Sequence, residues 1–265
     1  MTRMHRAGMA VIIGALAASA AGAAQAQIQG MPLFTNPRYA TGLRLHADLG
    51  LPTDKATSLG DYNVLQGGVT FALGPVGIGA NLGTTRQTFK AATGGTATTD
   101  LGSQSKVTAS ALLQLRLAGG GANPLSASIF GGASMDMNAF DFTKLKNFGS
   151  LPVAIQDSIK STNPKVLTIP VGGAIGIKLP LVIISPNLWG SARLNMSRVV
   201  DCPSGANCPT DNQFRWALGL DVPIFSVISV RAAYDSGKIK NPVTHATKTV
   251  SNFGVGASIG LGGMR

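Results

Sequence analysis

The sequence predicts an all-β fold: a closed, antiparallel, up-and-down barrel of about ten strands, within a range of eight to twelve, set in a membrane. Three observations carry this expectation. First, segments of roughly ten to fifteen residues alternate apolar and polar side chains with a period of two, which puts a greasy face against a polar one. Second, about ten such segments occur, each long enough for a tilted strand to cross a bilayer. Third, the connections between them alternate between short and long. An even strand count closes the sheet and removes the exposed edges that would otherwise pair with other chains.

The first strand is expected over Arg38 to Leu49, with Tyr39, Thr41, Leu43, Leu45, Ala47 and Leu49 on one face and Arg44, His46 and Asp48 on the other. Tyr62 to Leu73 and Val76 to Thr88 follow, joined by Gly74-Pro75, a dipeptide suited only to a tight turn. Lys106 to Ala118 is a clear amphipathic strand. Val107, Ala109, Ala111, Leu113, Leu115 and Leu117 oppose Lys106, Thr108, Ser110, Gln114 and Arg116. Leu125 to Met137 and Val166 to Lys178 come next, the latter with Gly172, Ala174 and Gly176 on its polar face. Ile184 to Ser197 is the seventh segment. In Gln213 to Val222, Phe214, Trp216, Leu218, Leu220 and Val222 oppose Arg215 and Asp221; in Ser226 to Asp235, Ile228, Val230, Ala232 and Tyr234 oppose Arg231 and Asp235. Thr249 to Leu261 is the tenth, with Gly254, Gly256, Ser258 and Gly260 on its polar face. No charge falls in the middle of an apolar face, where a cation at the bilayer midplane costs about 2 to 4 kcal/mol.

The connections after strands two, four, six and eight are tight, and the others are longer and polar. In a barrel of the outer membrane this rhythm puts the short turns and both termini on the periplasmic side. The longest connection, Asn138 to Lys165, contains Leu151 to Ile159, whose apolar spacing suits a short helix with Ser150 as its cap and Pro152 near its start. That helix is expected either on the rim or folded into the lumen as a constriction.

Residues 1–26 read as a secretory signal peptide, with a basic start (Met1 to Arg6), an apolar core (Ala7 to Ala20) too short to span a bilayer, and Ala24-Gln25-Ala26 as the cleavage site. Residues 27–265 then form a single barrel domain. Cleavage removes Arg3 and Arg6 and no acid, lowering the formal charge from +11 to +9. No later stretch has the apolar length of a membrane-spanning helix. With 34 Gly, 12% charged residues and no Glu, the composition suits close strand packing and a surface turned largely to lipid. The cations are scattered one per strand or loop, with neither a basic run nor interleaved aromatics, which argues against a nucleic-acid partner.

Alternation places Arg44, His46, Asp48, Lys106, Arg116, Lys178, Arg193, Arg215, Asp221, Arg231 and Asp235 in the lumen, together with Asp136. Cations outnumber acids there. Two readings follow: an interior locked by ion pairs and hydrogen bonds, or a narrow, weakly anion-preferring pore in which the inward Gly, Ala and Ser leave room for water. His46-x-Asp48, placed near the outer end of its strand, is the only pairing that suggests a hydrolase. An Asp/His protease of the omptin type would need further acidic pairs, and lipid-modifying barrels that use Ser, His and Glu are excluded by the absence of Glu, so no catalytic activity and no cofactor are expected. Cys202 and Cys208, the only cysteines, lie within Cys-Pro-Ser-Gly-Ala-Asn-Cys and read as a local disulfide; no His stands near enough to suggest a metal site.

With its signal, its alternating segments and its loop rhythm, the chain from about Arg38 to Leu261 resembles the small outer-membrane β-barrel family, typified by the barrel half of the major structural outer-membrane proteins and by opacity-type surface proteins. The resemblance implies a place in the outer membrane of a Gram-negative-type bacterium, contact with lipid and lipopolysaccharide, and insertion by the barrel-assembly machinery. It also implies a structural or surface role, or passage of small solutes. Tyr39, Tyr62, Trp216, Phe225 and Tyr234 near strand ends would form the interfacial girdles. Such barrels usually finish in an aromatic residue, and this chain departs from that pattern with Gly262-Gly263-Met264-Arg265. A competing architecture is a soluble, exported, lipocalin-like barrel with its apolar faces turned inward around a ligand.

Overall fold

A computed structural model describes residues 36–39, 41–53, 62–92, 98–120, 123–139, 141–146, 148–150, 165–180, 185–200, 210–225, 227–240 and 247–261. The expected signal peptide, the expected helix over Leu151 to Ile159 and the cysteine pair fall outside them.

Ten strands form the wall: β1 Gly42–Pro52, β2 Tyr62–Leu73, β3 Val76–Ala92, β4 Thr98–Gly120, β5 Asn123–Asp136, β6 Val166–Lys178, β7 Asn187–Val199, β8 Asp211–Pro223, β9 Ile228–Lys240 and β10 Thr247–Leu261. Each pairs antiparallel with its sequence neighbours, and β1 also pairs with β10, from Leu43 opposite Leu261 to Pro52 opposite Asn252, so the sheet closes. One rim holds the first residue of β1, the last of β10 and the shorter turns; the other holds the connections after odd-numbered strands.

The apolar faces point outward. Leu45, Leu65, Ile78, Leu113, Ile129, Ile175, Leu218 and Ile259 are among the exposed large side chains, and they come from strands all around the barrel. A continuous apolar surface of this kind belongs in hydrocarbon, where a closed barrel also satisfies every ladder hydrogen bond. The lipocalin-like architecture is therefore inverted here, with the greasy side outside and the polar side inside. On β10 the belt runs from Phe253 to Leu261, which at about 3.4 Å per residue and a tilt of about 40° spans about 20 Å. Above it, outward positions turn polar: the Ser236 and Ser251 hydroxyls pair at 3.0 Å, and those of Thr88 and Ser103 at 3.0 Å. Trp216 and Tyr234 lie along the upper part of this belt with ring centroids 5.7 Å apart.

Several expected boundaries move. β1 begins at Gly42 rather than Arg38, and Tyr39 turns inward beneath the barrel instead of joining a girdle. β3 and β4 do not stop at Thr88 and restart at Lys106; they continue as a paired hairpin to Ala92 and Thr98, past the belt. The connection between β6 and β7 is longer than expected because β7 starts at Asn187 rather than Ile184.

The β3–β4 extension carries a bulge: Phe89 pairs with Gly102 and Lys90 with Asp100, so Leu101 is the extra residue. Gly102 takes φ +98°, a conformation that a side chain resists. The Leu101 carbonyl, released from the ladder, accepts the Lys146 backbone N–H at 2.8 Å. Leu101, Leu145 and Phe148 are all buried, and the Lys146 bond seats the β5–β6 connection on the hairpin. Within that connection Phe142–Lys144 and Phe148–Ser150 form 3-10 turns. Asp141 opens the first by accepting the Thr143 backbone N–H at 3.2 Å; its bonds to the Thr143 hydroxyl and to Lys144 hold its carboxyl below the usual carboxylate range.

Candidate functional site

The inward faces of the ten strands form a crowded polar interior. Nearest the terminal rim, the residues before β1 fold into the mouth. Asn36 donates to the Asp221 carboxylate on β8, accepts from the Asn187 amide on β7 at 2.6 Å, and offers its backbone carbonyl to Gln114 on β4 at 2.9 Å. Tyr39 donates its hydroxyl to the Pro75 carbonyl, and its ring lies under the Arg116 guanidinium, 4.5 Å from the centroid. Arg116 closes this contact by donating to the Tyr39 carbonyl at 2.7 Å. Arg38 reaches the Asn123 carbonyl at 2.6 Å. Asn36, Arg38 and Tyr39 thus tie strands from opposite walls across the opening.

Above this plug, Arg44 reaches the Ser229 and Ser258 hydroxyls at 3.3 and 3.4 Å, and Trp189 donates to Asp221 at 3.4 Å. The next layer holds Asp48, paired with Arg231 at 3.4 Å and with His46 at 3.9 Å. His46 Nε2 also meets Asn81 Oδ1 at 2.8 Å, and Asn81 in turn donates to Ser110 at 3.2 Å. His46 therefore stands at mid-belt, enclosed, rather than near the outer end of its strand. Further along, Arg193 on β7 and Arg215 on β8 share the single carboxylate of Asp235 on β9. Near the upper rim Lys106 pairs with Asp136, which also accepts from Thr108 at 3.3 Å and from the Val166 backbone at 3.0 Å. Lys178 is half-buried at the opposite end.

The inward glycines do not leave the lumen roomy, which corrects the expectation drawn from their number. Each of several sits directly across the ladder from a bulky polar or aromatic partner: Gly68 from His46, Gly256 from Asp48, Gly219 from Trp189, Gly172 from Arg193 and Gly237 from Arg215. A Cβ at any of them would collide with that partner or its strand. The glycines are the floor on which the large side chains lie. Around Arg44, Asp221, Arg231 and the plug an interior cavity of ≈ 60 Å³ remains.

The structure thus brings Arg193, Arg215 and Asp235 together, Arg231 with Asp48 and His46, and Lys106 with Asp136; Arg44 has serine partners rather than an acid. Sequence reasoning missed Asn36, Asn81 and Trp189, and it placed Gln114 on the polar face without its partner in the plug. Only the pairing of inward glycines with large neighbours carried a signal for such positions, and it needs the strand register to be read.

No family model matches the chain, and no curated protein sequence matches it. Among solved structures, the β domain of the Bordetella autotransporter BrkA overlaps at a TM-score of 0.48 with 12% identity over 84% of this chain and 100% of that one. The translocator domain of the autotransporter NalP from Neisseria meningitidis gives 0.44 and 12% over 88% and 94%. Neisserial surface protein A gives 0.33 and 13% over 84% and 100%. Likenesses this distant do not bear on what this chain does. Its own geometry, a closed ten-stranded wall with an apolar belt and a polar interior, is that of a small β-barrel that crosses a membrane with its strands.

Proposed function

We propose that the protein is a closed outer-membrane barrel with a structural and surface role, holding its long connections outside the cell and its termini in the periplasm, with lipid and lipopolysaccharide around its belt. The observation that carries this reading is the cross-linked interior. Among the described residues, ion pairs at three levels and the plug at the mouth tie the walls together across the interior, and the cavity beside the plug is ≈ 60 Å³. A hydrolase at His46 is disfavoured because Asn81 and Asp48 already engage its Nε2 deep in the wall.

Planar bilayers test the closed state. The purified barrel should give no resolved conductance steps. Arg231→Ala should destabilise most, by about 3 to 5 kcal/mol, because it leaves Asp48 without its arginine and Asp221 with Arg44 alone; Arg193→Ala leaves Asp235 with Arg215, and Arg44→Ala leaves Asp221 facing Arg231, so both should cost less. Small anion-preferring steps, with selectivity that shifts towards cations in Arg44→Ala, would replace this reading with that of a narrow pore.

A further inference from the structure

Arg193 and Arg215 are in direct register across the β7–β8 ladder, two like charges side by side. Their shared partner is Asp235, which takes Nη2 of Arg193 on one oxygen and Nε and Nη2 of Arg215 on the other, the Nε at 2.7 Å. Two guanidiniums against one carboxylate leave one positive charge in excess. The group is sealed, with Arg193 2% and Arg215 1% exposed. Among the described residues, Nε and Nη1 of Arg193 and Nη1 of Arg215 have no hydrogen-bond partner, and neither does the amide of Asn195, two residues along the same face of β7 and 1% exposed. Across the β6–β7 ladder Arg193 and Asn195 face Gly172 and Pro170, and across the β7–β8 ladder Asn195 faces Gln213, whose amide nitrogen donates to Asp211 at 2.5 Å.

A buried, uncompensated cation is costly, and so is each unfilled donor. Water could fill the donors but would leave the charge. A small anion does both, and the excess of one charge makes it monovalent. We propose that the Arg193–Arg215–Asn195 centre binds a small monovalent inorganic anion of halide type, which acts as a structural ion of the barrel. It goes beyond the closed-barrel role and does not depend on it, because the site lies within the wall's own side chains.

The probe is bromide. Because the centre is sealed, the full-length protein is refolded in parallel in sodium bromide and in sodium gluconate at the same ionic strength, and each sample is melted in detergent; crystals grown from the bromide sample are measured for anomalous scattering. The expected result is an unfolding midpoint that rises with bromide and saturates, no comparable rise in gluconate, and an anomalous peak within hydrogen-bond reach of the two guanidiniums. Arg215→Gln removes the excess charge while leaving Asp235 paired to Arg193, and should abolish the bromide-dependent shift. If that variant does not fold, Asn195→Leu keeps the charge but loses a donor, and should reduce the shift. Equal wild-type midpoints in the two salts, the absence of a peak at the centre, or a full bromide shift retained in either variant would overturn the proposal.

Discussion

Gly237 shows how a residue without a side chain carries structural information. It lies opposite Arg215, and a Cβ there would run into the Arg215 stem and the Phe214 carbonyl. Its backbone needs no unusual conformation; what it supplies is space. Gly237→Val should therefore destabilise the barrel by about 1 to 3 kcal/mol through overpacking. Gly173, on the outward face with only ordinary contact to the Ser128 carbonyl, should tolerate Ala with little change. Urea titrations of tryptophan fluorescence in lipid vesicles would compare the two. At Cys202 and Cys208 the prediction rests on sequence alone. A disulfide closing so short a loop constrains the unfolded chain by about 2 kcal/mol at most, so Cys202→Ser should shift non-reducing mass spectra by the loss of the bridge while the barrel still folds. Failure of that variant to fold would give the loop a role in assembly.

At the scale of elements, the β3–β4 hairpin and the segment before β1 are the two departures from a plain barrel. The bulge at Leu101 turns a ladder carbonyl towards Lys146 and seats the β5–β6 connection on the hairpin. Phe148 is buried within that connection, 4% exposed, and its backbone N–H meets the Leu145 carbonyl at 3.3 Å. Phe148→Ala should release the connection, seen as faster limited proteolysis between β5 and β6 with the barrel's own mobility on gels unchanged, because no wall strand depends on that contact. Equal cleavage rates in variant and wild type would show that the seat is not what orders the connection. The Asn36–Tyr39 plug was hidden from sequence reading because alternation assigns Tyr39 to a face of a strand, whereas the Arg116 guanidinium and the Pro75 carbonyl draw it under the mouth. Those partners lie far along the chain, and no local pattern announces them.

For the whole molecule, the closed ladder is the dominant physical fact. With β1 paired to both β2 and β10 there is no free edge from which unzipping can start, and in lipid each broken backbone bond would expose an unsatisfied polar group. The protein should therefore partition with outer membranes and migrate faster on detergent gels when unboiled than when boiled. Recovery in a soluble fraction with no mobility difference would contradict the membrane placement of the belt.

The sequence by itself determined what depends on period. Alternation along β4 and β8 assigned Val107 to Leu117 and Phe214 to Val222 to lipid and Lys106, Arg116, Arg215 and Asp221 to the interior, because a strand has only two faces and hydrocarbon accepts only one kind. Strand number and order followed from the same repetition. Only the tertiary structure decided which inward groups meet. Arg193 and Arg215 share Asp235, and Arg44 is left to serines, because those contacts depend on strand register, on the curvature of the wall and on which glycines clear space beneath a side chain. Whether an interior rich in glycine is open or filled is likewise not a property of any one strand. It is settled across the ladder, where inward glycines such as Gly68, Gly172 and Gly237 meet the large side chains lying over them.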